Sequence, residues 1–223
     1  MQLGGLEKEL LSLFLQDSDY EVIREKKYES FSSPRVIKLM RFETKRYKVS
    51  GFGHAFSMQT KGPFGMELLT ISFTPGEGAS VPFLLIDIMS VGKKRTVFVE
   101  YYDCTSHKED AAHAALIEVK KKYDHLQEYA EKPHWYVGER TPYSLIKCGT
   151  AADDDMLVSM VKDSVEAYKE ECKGAVIDKD NIEGLLAFRD RMIKEGNPSS
   201  AVLEKVFVKE GAEEFFKKCV MAV

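Results

Sequence analysis

The chain reads as an α+β sandwich, a single domain over residues 1–223, with an antiparallel sheet in the first two thirds and helices after it. Three observations predict this. Between about Val36 and Thr105 apolar residues recur with period two. Short gaps holding Gly or Pro separate the runs. Beyond Thr105 the apolar spacing lengthens to that of a helix. A length of 223 residues fits one large core better than two small ones.

Leu6, Leu10, Leu11, Phe14 and Leu15 fall at helical spacing, which predicts a short amphipathic helix packed on the domain. After a polar stretch, strands are expected over 45–59, 66–74, 81–90 and 95–103. The gaps hold Gly62 and Pro63, then Gly76, Glu77 and Gly78, then Gly92. Such links are too short for the crossover that a parallel pair requires, so the strands form an antiparallel meander. Next, Ala112, Ala115, Leu116, Val119 and Tyr123 make one stripe of a charged helix, which the segment from Pro133 to Gly138 ends. Asp153, Asp154 and Asp155 open a helix faced by Leu157, Val161, Val165 and Tyr168, with carboxylates at the positive end of its dipole. Asp180 with Glu183 resembles a capping box, and Asn197 before Pro198 resembles an N-cap with proline at the first helical position. The last helix carries Leu203, Phe207, Phe215 and Phe216.

Composition excludes several function classes. A formal charge of -4 carries no global nucleic-acid signature, and the basic clusters Lys93-Lys94-Arg95 and Lys120-Lys121-Lys122 read as solvated surface. Cys104, Cys148, Cys172 and Cys219 are far apart with no CxxC pair, which argues against a thiolate metal site and for free cytosolic thiols. His107, His113, His125 and His134 lack zinc-site spacing, and no phosphate loop or serine nucleophile elbow is present. No basic-then-apolar leader and no stretch of ~20 apolar residues is seen, so a cytoplasmic protein is expected, with no membrane or nucleic-acid partner.

The chemical lead is Asp87, the one charge in the apolar run from Val81 to Val91. A carboxylate desolvated in this way either has a partner or holds a proton, because low dielectric disfavours its ionised form. Two readings stand side by side: a proton donor at neutral pH, or a carboxylate paired with a buried Lys or Arg.

Three segments, in register from about Arg41 to the C-terminus, resemble the ferredoxin-dependent bilin reductases, which reduce linear tetrapyrroles such as biliverdin. The C-terminal segment from Asn197 to Met221 has that family's polar turn, helix, aromatic residue, second helix and apolar tail. Leu69 to Pro75, followed by Val81, Pro82 and Asp87, has the spacing of its two strands that carry a catalytic histidine and aspartate. Pro133, His134 and Trp135 ahead of Pro142 to Ile146 are similar to its Pro-Trp turn and following strand. The chain is identified as a divergent member, related to red chlorophyll catabolite reductase.

The resemblance implies a three-layer α/β/α sandwich whose central antiparallel sheet and C-terminal helices enclose the bilin. It implies single electrons from a ferredoxin or flavodoxin, no tightly bound cofactor and no metal. Asp87 falls on the aspartate that protonates the pigment. Thr70 stands where many of these enzymes have a histidine; it can hydrogen-bond but cannot carry a proton at neutral pH. Their glutamate has no counterpart between Gly53 and Met58, where His54 lies near a histidine position. Asn197 stands where some relatives have a second donor aspartate, and it also suits an N-cap. Thr70, His54 and Asn197 are therefore the expected substrate contacts beside catalytic Asp87. Arg35, Lys38, Arg41, Lys45, Arg46 and Lys48 are candidates to hold pigment propionates or an acidic ferredoxin. The alternative is a binding protein that kept the pocket and lost catalysis.

Overall fold

The computed structural model describes residues 1–34, 38–76, 78–105, 113–197 and 200–223; Arg35, Val36, Glu77, His107, Ala112 and Pro198 lie outside the described residues. The elements run α1 (Leu3–Leu15), β1 (Tyr20–Val22), α2 (Lys26–Glu29), β2 (Ser30–Ser33), β3 (Met40–Val49), β4 (Gly53–Lys61), β5 (Glu67–Pro75), β6 (Phe83–Val91), β7 (Lys94–Tyr102), α3 (Ala114–Tyr123), β8 (Leu145–Thr150), α4 (Asp154–Lys173), α5 (Asp180–Glu195) and α6 (Ser200–Phe215). The strands form one eight-stranded sheet in the order β1-β3-β4-β5-β6-β7-β8, with β2 also on β3. Every pair is antiparallel.

Helices cover both faces, as an α/β/α sandwich requires. Because side chains alternate along a strand, Leu84, Ile86 and Ile88 of β6 join α1, α3 and α4 in one core. Phe83 and Leu85 point the other way, into a second core with α5, α6 and the C-terminal turn. Both faces of the central strands are thus apolar, which explains the nearly unbroken run from Val81. The helices bury the expected stripes: Leu6, Leu10 and Phe14 in α1, and Leu157, Val161, Val165 and Tyr168 in α4. Burying each such side chain contributes roughly 1.5–3 kcal/mol.

Several local expectations are corrected. The run expected as one strand over 45–59 is two, β3 and β4, joined through a turn in which Gly51 takes φ 71°, a conformation open to glycine without a Cβ clash. Asp180 and Glu183 lie in the first turn of α5, but Lys179 is its N-cap residue and no side chain caps it. A capping box forms instead between Thr150 and Asp153, just before α4. The last helix is interrupted at Val208 (φ 56°, ψ 175°) and ends in a π-type turn over Phe216–Val220. The short strands β1 and β2 fall in the stretch that reads as merely polar.

Candidate active site

Register decides which face Asp87 takes. It pairs with Thr70 on β5 and with Phe98 on β7, and it points to the α5–α6 side. Thr70 Oγ1 donates a hydrogen bond to Asp87 Oδ1 at 2.5 Å. Among the described residues no Lys or Arg forms an ion pair with Asp87, so the paired-carboxylate reading does not hold. Burial pushes the Asp87 carboxyl up to about 6 from an ordinary 3.8, and the bond from Thr70 opposes part of that rise. A group that exchanges its proton near neutral pH is suited to general acid–base work.

Asp87 opens on a cavity of about 260 Å³, floored by Phe98 and Glu100 and walled by Tyr129, His134, Tyr136 and Arg140. Leu85 pairs with Glu100 while Asp87 pairs with Phe98. The two carboxylates are therefore diagonal neighbours on one face, with Cα atoms roughly 7–8 Å apart. Glu100 is only 3% exposed. Its Oε1 accepts hydrogen bonds from Tyr102 at 2.8 Å and from Arg140 Nε at 2.5 Å. Burial raises its proton affinity, the Arg140 charge works against that, and the charge of Asp87 adds to it.

Arg140 follows a 3-10 turn at Trp135–Glu139. Its backbone bridges to Tyr102, and the next residue, Thr141, donates its N–H to the Tyr101 carbonyl at 2.9 Å. These bonds lay the guanidinium across the end of β7, where it also grips both oxygens of Glu131. Burial pushes the Tyr136 hydroxyl up to about 12, helped by the charges of Glu100 and Glu131. His134 stacks on Tyr136 with the rings 5.2 Å apart and nearly parallel, and with Lys132 it stands exposed at the rim. The cavity thus combines an aromatic wall, two carboxyls with raised proton affinity and a cation at the mouth.

Of the four residues singled out from sequence, the structure joins Thr70 and Asp87 and leaves the other two elsewhere. His54 pairs with Thr74 on β5, four residues along and two strands across from the Asp87 row, roughly 16 Å at ordinary sheet spacing. Asn197 borders a small hollow between α5 and α6, and its side-chain amide donates to the Met192 carbonyl at 3.3 Å, closing the end of α5. Arg46 is buried and bonds the Lys218 carbonyl and Glu25, and Lys45 reaches Glu7. Neither is at the cavity. A larger hollow of about 550 Å³ beside α5 is lined by Asp103, Glu139, Asp180 and Glu183 and excludes Asp87. Among the described residues no group of three His, Cys, Asp or Glu is placed to hold a metal ion, and no helix is long and apolar enough to cross a membrane.

The architecture matches that of a solved protein. The crystal structure of phytochromobilin synthase from tomato in complex with biliverdin superposes with a TM-score of 0.82, over 97% of this chain and 82% of that chain. The two share a fold. Their sequence identity is 14%. No protein-family model and no curated protein matches the sequence. Glu100, Tyr136 and Arg140 were not anticipated from sequence. Glu100 did carry the signal that marked Asp87, an acid in the largely apolar stretch 96–102 of β7.

Proposed function

We propose that the protein binds a linear tetrapyrrole or a similar open-chain conjugated pigment against the β6–β7 face, and reduces it with Asp87 as proton donor. The observation that carries this reading is a carboxyl with its affinity near pH 6, held by Thr70 and open to an aromatic-walled cavity. The fold it shares with a protein crystallised with biliverdin adds support. So does the sequence resemblance to the bilin reductases around Thr70, Asp87 and Trp135.

Protonating a conjugated pigment makes it easier to reduce, because an incoming electron then meets a cation. Asp87 gives up its proton, and single electrons arrive from a ferredoxin or flavodoxin. Two electrons and two protons saturate one double bond. Thr70 stabilises the carboxylate that remains, since its hydroxyl favours the ionised form. A cavity of about 260 Å³ is smaller than the ~300–1,000 Å³ of most ligand sites. It therefore takes part of an extended pigment, and the rest lies across the rim beside Lys132 and His134, where a carboxylate substituent meets a positive charge.

The test is anaerobic incubation of biliverdin with the protein, ferredoxin and a reducing system, followed by absorption spectroscopy. Wild type is expected to convert the pigment, and Asp87→Asn to bind it without conversion. A spectral change on mixing that never proceeds to turnover in wild type supports the binding-only alternative, for which Thr70 in the place of a histidine is the favouring observation.

A further inference from the structure

A two-electron reduction consumes two protons, and Asp87 holds one. The cavity contains a second carboxyl built in the same way. Asp87 has Oδ1 held by Thr70, and Glu100 has Oε1 held by Tyr102 and Arg140. Neither Asp87 Oδ2 nor Glu100 Oε2 has a hydrogen-bond partner among the described residues. Both side chains line the same cavity from adjacent strands.

We propose that Asp87 and Glu100 work as a pair that stores and delivers both protons of the reduction, with Arg140 balancing the negative charge left behind. The proposal rests on the reductase reading of this cavity. Two carboxylates this close on one buried face resist ionising together, so the pair retains a proton to higher pH than either group alone. The groups that face them are Thr70 from β5, Tyr102 from β7, and Tyr136 and Arg140 from the turn before β8, with Glu131 beyond Arg140. Lys132 and His134 stand at the rim.

A one-electron donor protein of the iron–sulfur or flavin class supplies two electrons in turn. The Asp87 O–H bond breaks with the first proton transfer and the Glu100 O–H bond with the second, and two bonds to hydrogen form on the pigment. Both carboxylates then take protons back from water through the rim. Arg140, bound to Glu100 and Glu131 throughout, holds Glu100 in place in both protonation states.

The experiment uses Glu100→Gln, which keeps an acceptor oxygen for Tyr102 and Arg140; if that variant does not fold, Asp87→Asn read at the Glu100 carboxyl still tests the pairing. Carbon-13 NMR titration of labelled Asp and Glu carboxyls needs no substrate. Removing the Asp87 charge with Asp87→Asn is expected to lower the Glu100 midpoint, because the charge of Asp87 is among the causes that raise it, and an unmoved Glu100 midpoint overturns the pairing. In anaerobic turnover with biliverdin, Glu100→Gln is expected to stall after one electron and one proton, with a radical spectrum that wild type does not accumulate. Asp87→Asn stalls before that species. Full conversion by Glu100→Gln at the wild-type rate overturns the second-donor role. If wild type itself does not convert biliverdin, the reductase reading fails with this pigment, and the NMR titration still decides whether the pair shares its protons.

Discussion

Replacing Asp87 by Asn removes a charge while keeping volume, shape and an oxygen to accept the Thr70 hydroxyl. Burial holds the carboxyl at about 6 instead of 3.8. At about 1.4 kcal/mol per pKa unit, ionising it costs about 3 kcal/mol more in the folded protein than in the unfolded chain. The side chain is partly open to the cavity, and water there screens part of this, leaving about 2 kcal/mol. Because the folded value lies above the unfolded one, the stability this group contributes is complete below pH 3.8 and is lost as pH rises through about 6. The Asn variant escapes that loss. Urea unfolding followed by the fluorescence of Trp135, the single tryptophan, measures it at pH 4 and pH 8. Between these, the stability of Asp87→Asn relative to wild type is expected to rise by about 2 kcal/mol, roughly 4–8 °C in Tm for a chain of this length. An equal difference at both pH values, or a variant weaker at pH 8 than at pH 4, would show that burial does not raise the proton affinity of Asp87.

Three other perturbations follow from the same structure. Thr70→Val deletes the bond that favours the Asp87 carboxylate, so the Asp87 midpoint in an NMR titration is expected to move above about 6; a fall would show that Thr70 does not stabilise the ionised form. Arg140→Met leaves Glu100 and Glu131 without their shared cation, with an expected cost of about 3–5 kcal/mol by denaturant unfolding at pH 8. That cost should shrink at pH 5, where Glu100 takes up a proton, and a pH-independent cost would count against the charge argument. Gly53→Ala sets a Cβ against the Thr74 carbonyl and the Gly76 backbone nitrogen at φ +141°, so a loss of more than about 1 kcal/mol is expected, and an unchanged Tm would contradict it.

Much of the fold was legible because the meander is written in period two and its turns in glycine. Lys45 to Gln59 misled because the hairpin between β3 and β4 is short, and its signals, Gly51 and Gly53, sit inside an otherwise strand-like stretch. Asp87 stood out as a charge that no solvated face explained. Its orientation was hidden, since both faces of β6 read apolar and only register with Thr70 and Phe98 assigns it. Glu100 was visible by the same logic but was masked by the polar Asp103 and Arg95 at either end of its strand. Arg140 and Tyr136 reach the cavity through a backbone bridge to Tyr102 across 38 positions of sequence, which no local pattern records. His54 and Asn197 were placed by analogy, and their distance from Asp87 follows from strand register and from the end of α5.

In the proposed function Asp87 hands a proton to a pigment lying in this cavity. A pH titration of biliverdin absorption, bound to wild type and to Asp87→Asn, tests it most directly. Bound pigment is expected to keep its protonated spectrum to higher pH in wild type, where the Asp87 carboxylate left behind stabilises the cation, than in the variant at equal occupancy. Identical titrations of the two proteins, or no binding of the pigment to either, would contradict it.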